Sequence, residues 1–127
     1  MRLTTICSHV MLGVVMLLCA LGAQAADPPQ GDFFVKDFRF HTGEVLPELR
    51  LHYMTLGAPT GEPVLVLHGS SGSGQTMMAK SFAGELFGPG QPLDAAKYFI
   101  IIPDAIGSGR SSRPSDGLRA HFPKYGY

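Results

Sequence analysis

The glycine- and serine-rich stretch "LVLHGSSGSGQT", residues 65–76, could do either of two kinds of chemistry. Gly69, Gly74, Gln75 and Thr76 lie one residue type away from a phosphate-binding loop, G-x-x-x-x-G-K-[ST], whose backbone N–H groups cradle phosphates. His68-Gly69-Ser70 instead suits an oxyanion turn, in which the Ser70 N–H would donate to a tetrahedral intermediate of acyl chemistry. A helix N-terminus serves both, since free N–H groups and partial positive charge attract either anion. Gln75 separates the two readings. A phosphate loop needs lysine there to reach the β- and γ-phosphates, and glutamine keeps the length but loses the charge. Gly69 would let the backbone approach a reacting carbonyl closely. Ser70, Ser71 and Ser73 read as loop and cap residues, because "GSSGS" has serine where G-x-S-x-G needs its second glycine.

Such a loop needs a strand before it and a helix after it. Residues 64–67 and 98–102 ("YFIII") are short, continuously apolar runs, the pattern of strands buried on both faces of a parallel sheet. Between them Met78, Phe82 and Leu86 recur every four residues, which predicts a helix from about residue 75 to 87, stopped by Gly88-Pro89-Gly90. Together these make a right-handed strand–helix–strand crossover. Upstream, residues 33–41 are rich in β-favouring aromatics. Leu49, Leu51 and Tyr53 then alternate with Arg50 and His52, so a half-buried strand and an antiparallel hairpin are expected there. On that pattern His41 and His52 fall on turn or strand surface. The fold class is α/β with a leading hairpin. Residues 103–127, rich in Gly, Ser, Arg and Pro, show no period; a stretch that long is either a functional loop or a lead into something further.

The 127 residues leave room for one domain. Residues 1–25 read as a signal peptide: Arg2, an uncharged apolar run over 10–21, then Ala23-Gln24-Ala25, a small-x-small cleavage site with the cut after Ala25. The run is shorter than the roughly 20 residues a membrane span takes, and an uncleaved anchor is the competing reading. Residues 26–32 ("ADPPQGD") form a solvated lead-in, and 33–127 the domain proper. Cys7 and Cys19 both lie in the signal segment, so the mature chain would have neither disulfide nor thiol ligand. Ten basic and ten acidic residues balance, and losing Arg2 leaves the mature chain slightly acidic. No charge run or basic patch points to nucleic acid or an anionic membrane. The expected location is periplasmic or secreted, without a membrane anchor after cleavage.

"VLVLHGSSGSG" and "FGPGQPLDAAKYFIIIPDAIGSGRSSRPS" together resemble the N-terminal half of an α/β-hydrolase-fold domain. The phrase GPG-x-PLD-x-x-KYF is most similar to the homoserine O-acetyltransferase-like branch, and Asp104-x-x-Gly107-x-Gly109-x-Ser111 resembles the loop after that family's fourth strand. The likeness covers about residues 38–127. It implies an oxyanion hole with Gly69 and Ser70, and loop-shaping roles for His68, Asp104, Gly107 and Gly109. It also implies a serine nucleophile, an acid and a histidine beyond Tyr127, so none of the three is present here. No cofactor or metal is implied. The complete protein would be a hydrolase or O-acyltransferase taking a small-molecule ester or acyl substrate, and this chain alone is expected to be inactive without a complementing downstream half. The family's sheet order implies that "VLVLH" is left as an open apolar edge. The alternatives are a non-catalytic exported interaction domain and a P-loop-like nucleotide binder.

Overall fold

A computed structural model describes residues 27–125; the signal segment expected at 1–25 lies outside the described residues. Four strands form one sheet: β1 (Gln30–Arg39), β2 (Val45–Leu56), β3 (Glu62–Leu65) and β4 (Tyr98–Pro103). Among the described residues one short α-helix, α1 (Lys80–Leu86), is joined by 3-10 turns at Gly74–Met78, Pro114–Asp116 and Arg119–His121. The sheet order is β1-β2-β4-β3, antiparallel at its first two pairings and parallel between β3 and β4. This is a mixed α/β sheet, a hairpin followed by a strand–helix–strand unit.

The hairpin is longer than its sequence pattern suggests. Pairing runs from Gln30↔Met54 to Arg39↔Val45, so residues 30–32 belong to β1 rather than to a solvated lead-in. Backbone pairing can proceed there because Pro28 and Pro29 both precede the strand. His52 is also not on the surface, as the alternation suggested, but buried together with Met54. Here β2 lies between β1 and β4, and its His52 side is covered by the loops that follow β3 and β4. Around Tyr53 the opposite side has no such cover, so at this end of β2 the more polar side is the buried one, while Leu49, further back on the Tyr53 side, is fully buried.

The helix expected over residues 75–87 is split. Ala79, with φ −58° and ψ 140°, interrupts it between the 3-10 turn and α1. The first turn is tightened because the Thr76 hydroxyl donates back to the Ser73 carbonyl (2.7 Å) while accepting the Ser73 N–H (3.2 Å). Met78, Phe82 and Leu86 nevertheless share one apolar cluster with buried Phe87, Ile100 and Ile102. A second cluster, Phe40, Leu46, Leu49 and Phe122, sits beneath the hairpin. Phe122 shows that the region after β4 is folded. Ser112 exchanges hydrogen bonds with Arg50, its N–H donating to the Arg50 carbonyl and its Oγ accepting the Arg50 N–H (both 2.9 Å). Residues 111–112 thus lie along β2 like a fragment of added strand.

Candidate functional site

β4 delivers Asp104 to the end of the sheet, where the side chain is buried. Its Oδ1 accepts the Gly74 N–H at 2.5 Å and its Oδ2 the Arg110 N–H at 2.6 Å. Its backbone N–H donates to the His52 carbonyl at 2.8 Å. The Asp104 carbonyl accepts the Ser111 hydroxyl at 2.7 Å, and Ser111 Oγ, fully buried, accepts the His52 N–H at 2.9 Å. Asp104 therefore ties β2, β4 and both loops into one hydrogen-bonded unit. Gly109 sits at φ 52° directly against the Asp104 carboxylate, where a Cβ would collide with it. Gly107, at φ 86°, lies under the Tyr125 ring in the same way. These two glycines are required by space as well as by backbone conformation.

The loop after β3 is fastened to the loop after β4 at three points. His68 Nε2 accepts the Ala105 N–H at 3.0 Å, the Gly72 carbonyl accepts the Ser108 hydroxyl at 2.5 Å, and Gly74 meets Asp104. Because Nε2 is an acceptor, His68 carries its proton on Nδ1, which donates to the Gly69 carbonyl at 2.8 Å. The same carbonyl accepts the Gly72 N–H at 2.9 Å. In a trans peptide the carbonyl and the following N–H point in opposite directions. With the Gly69 carbonyl fixed by two donors, the Ser70 N–H points away from them, and it has no acceptor among the described residues. His68 is in turn unavailable as a base, since its lone-pair nitrogen is engaged by Ala105.

The phosphate-loop alternative meets a specific obstacle: the Gly74 N–H, which would face a phosphate, already donates to a carboxylate. The structure also brings together groups that the sequence pattern did not single out. His52 lies opposite Asp32 in the β1–β2 ladder, with Nδ1 2.7 Å from Asp32 Oδ1 and Nε2 3.3 Å from Gln30 Oε1. Gln30 Oε1 also accepts a bond from Arg110 Nη1 at 2.9 Å. Gln30, His52 and Arg110, with Met54, Ser73, Gln75 and Asp104, line a recess of about 190 Å³. The signal available in the sequence was the hairpin register, which sets Asp32 against His52 once the turn is fixed. Of the sequence-derived site residues, His68 and Asp104 take part directly in the inter-loop bonds, to Ala105 and Gly74; Gly69 and Ser70 follow His68 in its loop, and Gly107 and Gly109 follow Asp104 in the other. His41 and His121 stay exposed and apart from them.

No family model matches the chain. A homoserine O-acetyltransferase of Haloferax prahovense is 33% identical over 96 residues, covering 65% of this chain and 23% of that protein. Among solved structures, the homoserine O-acetyltransferase from Staphylococcus aureus superposes with a TM-score of 0.63 at 26% identity, over 77% of this chain and 30% of that one. An acetylester hydrolase from Corynebacterium glutamicum gives 0.64 at 26% identity, over 76% and 29%. The chain thus spans about a quarter of the length of the curated relatives it matches. The shared sheet shows that the chain holds part of an α/β-hydrolase fold, and its sequence is similar to the homoserine O-acetyltransferases that carry that fold.

Proposed function

We propose that this chain is the N-terminal portion of an exported, serine-dependent α/β-fold hydrolase that cleaves a small-molecule ester or acyl bond, with the Ser70 N–H as one of its oxyanion donors. The observation that carries this reading is the Ser70 N–H, oriented by a Gly69 carbonyl that accepts from both His68 and Gly72. Such a donor, fixed before substrate arrives, needs no reorganisation when charge develops on the carbonyl oxygen. The nucleophile, the acid and the catalytic histidine come from sequence beyond Tyr127, and the chain alone is inactive. Ser70, Ser71 and Ser73 make no hydrogen bond to a histidine among the described residues, which supports leaving them out of the nucleophile role. Cleavage after Ala25 sends the chain to the periplasm or outside the cell. Export supports hydrolysis over transfer, because acetyl-CoA is a cytoplasmic metabolite. The reading involves no cofactor, no nucleic acid and no membrane anchor.

The test is hydrolysis of a chromogenic acetate ester by the 127-residue chain and by a chimera in which this chain replaces the aligned part of the Corynebacterium glutamicum acetylester hydrolase. No turnover is expected from the chain alone and measurable turnover from the chimera. Turnover by the chain alone that survives replacing Ser70, Ser71 and Ser73 with alanine would overturn the reading. A folded chimera without turnover would do the same.

A further inference from the structure

His52 is 5% exposed, so its two ring nitrogens are served by neighbouring side chains and not by bulk water. Both of them face oxygen. Nδ1 lies 2.7 Å from Asp32 Oδ1 and Nε2 lies 3.3 Å from Gln30 Oε1. The same Gln30 oxygen accepts a bond from Arg110 Nη1 at 2.9 Å. A neutral imidazole has one N–H and one lone pair. Asp32, as a carboxylate, can only accept, so the single proton of a neutral ring belongs on Nδ1. The Nε2 lone pair would then oppose the lone pairs of Gln30 Oε1. With a proton on each nitrogen, the ring satisfies Asp32 and Gln30 together and leaves the Arg110 bond in place.

A neutral His52 can be satisfied in one other way. The Gln30 amide turns over, and its NH2 group donates to Nε2. That turn sets the NH2 against Arg110 Nη1, donor facing donor, and the Arg110 contact is lost. Arg110 is exposed and can turn to water, whereas the buried imidazole cannot. The other charged groups around the ring are already engaged. Asp104, at the end of β4, accepts the Gly74 and Arg110 N–H groups, and Arg50, two residues back along β2, has Nη2 3.7 Å from Asp116. The turn before α1 brings Ser73 and Gln75 to this recess, and neither titrates.

We propose that His52 is a proton-operated latch between β1 and the loop after β4. With a second proton on Nε2, the ring holds the Gln30 oxygen in place, and that oxygen holds Arg110. Without it, the amide reverses and Arg110 is released. Histidine is the side chain that ordinarily makes this change between about pH 5 and 8. The loop so gripped is the one whose Ala105 and Ser108 fasten the turn at Ser70. Falling pH therefore adds a tie from β1 to a loop otherwise bonded to β2 and to the loop after β3. The latch uses no catalytic group, so it stands or falls separately from the hydrolase reading.

The experiment is nuclear magnetic resonance of the nitrogen-15-labelled 127-residue chain across about pH 5 to 8. It follows the His52 ring nitrogens, the Gln30 side-chain NH2 signals, and the Overhauser contacts between that NH2 and the His52 ring C–H protons. Those contacts are expected above the midpoint of the His52 ring and should be lost below it, with the Gln30 signals shifting at the same midpoint. Asp32, which is exposed, supplies a variant that keeps the fold. In Asp32→Asn the new amide can donate to Nδ1, which lets a neutral ring carry its proton on Nε2 and keep the Gln30 oxygen. The Overhauser contacts should then be absent at every pH while the His52 ring still titrates. The proposal is overturned if the Gln30 NH2 of the unaltered chain shows the same contacts throughout, or changes at a midpoint other than that of His52. It is also overturned if the His52 ring keeps one protonation state across the range, or if Asp32→Asn leaves the Gln30 change as it was.

Discussion

At Ser70 the backbone and the side chain can be tested separately. The loop leaves the hydroxyl without a described partner, while the direction of the N–H is set by the bonds at Gly69. In the chimera, Ser70→Ala is expected to keep most ester turnover. Ser70→Pro removes the donor and should reduce kcat by about 10²–10³, the usual effect of deleting one oxyanion donor. Circular dichroism of both variants checks that the loss is not unfolding, and an inactive, folded Ser70→Ala would reassign the role to the hydroxyl. The types and spacing of these residues were legible in the sequence, because His-Gly after an apolar strand and D-x-x-G-x-G-x-S after the next are local patterns. The contacts that make them one unit were not legible. His68 to Ala105 and Gly74 to Asp104 join residues 37 and 30 positions apart, and no local pattern encodes such a bond.

At the scale of elements, the turn between α1 and β4 depends on one carboxylate. Asp94 Oδ2 accepts the Gly90 N–H (2.7 Å) and Oδ1 the Ala96 N–H (2.8 Å), while its carbonyl accepts from Lys97 and Tyr98 at the start of β4. The Gly90 and then the Ala96 hydrogen bonds hold its carboxyl below the ordinary aspartate value, against an opposing contribution from burial. A carboxyl whose value is lowered by folding stabilises the fold above its unfolded pKa of about 3.9, and loses that contribution as pH falls through the lower folded value. Replacing Asp94 with Asn should therefore flatten the acid side of the stability profile of the folded chimera below about pH 4. Urea midpoints measured from pH 2 to 7 check this. An unchanged acid limb would show that other carboxylates carry it. Gly88-Pro89-Gly90 announced the end of the helix, and the apolar runs announced the strands. The break at Ala79 and the burial of His52 were not announced. Period-four spacing cannot distinguish one helix from a 3-10 turn followed by another, since Met78 and Phe82 reach the same cluster either way. Strand alternation identifies two faces but does not say which one the later loops will cover.

For the molecule as a whole, the proposed export rests on the N-terminal segment. If Ala23-Gln24-Ala25 is cut, mass spectrometry of a periplasmic or medium fraction will find a chain beginning at Ala26. Intact chain recovered only in membranes would favour the anchor instead. The fold class and the hairpin could be read from the sequence at this scale. The folding of residues 104–125 against β2 and beneath Phe40 could not, because it relies on isolated polar and aromatic contacts without a period.

The three fastenings between the loops also bear on the order of assembly. All of them lie between residues 68 and 108, and all use groups this chain supplies itself. None waits for a segment beyond Tyr127. During folding, the turn that presents the Ser70 N–H can reach its final shape before any later sequence arrives. The direction of the Ser70 N–H is thus set by contacts within the chain itself.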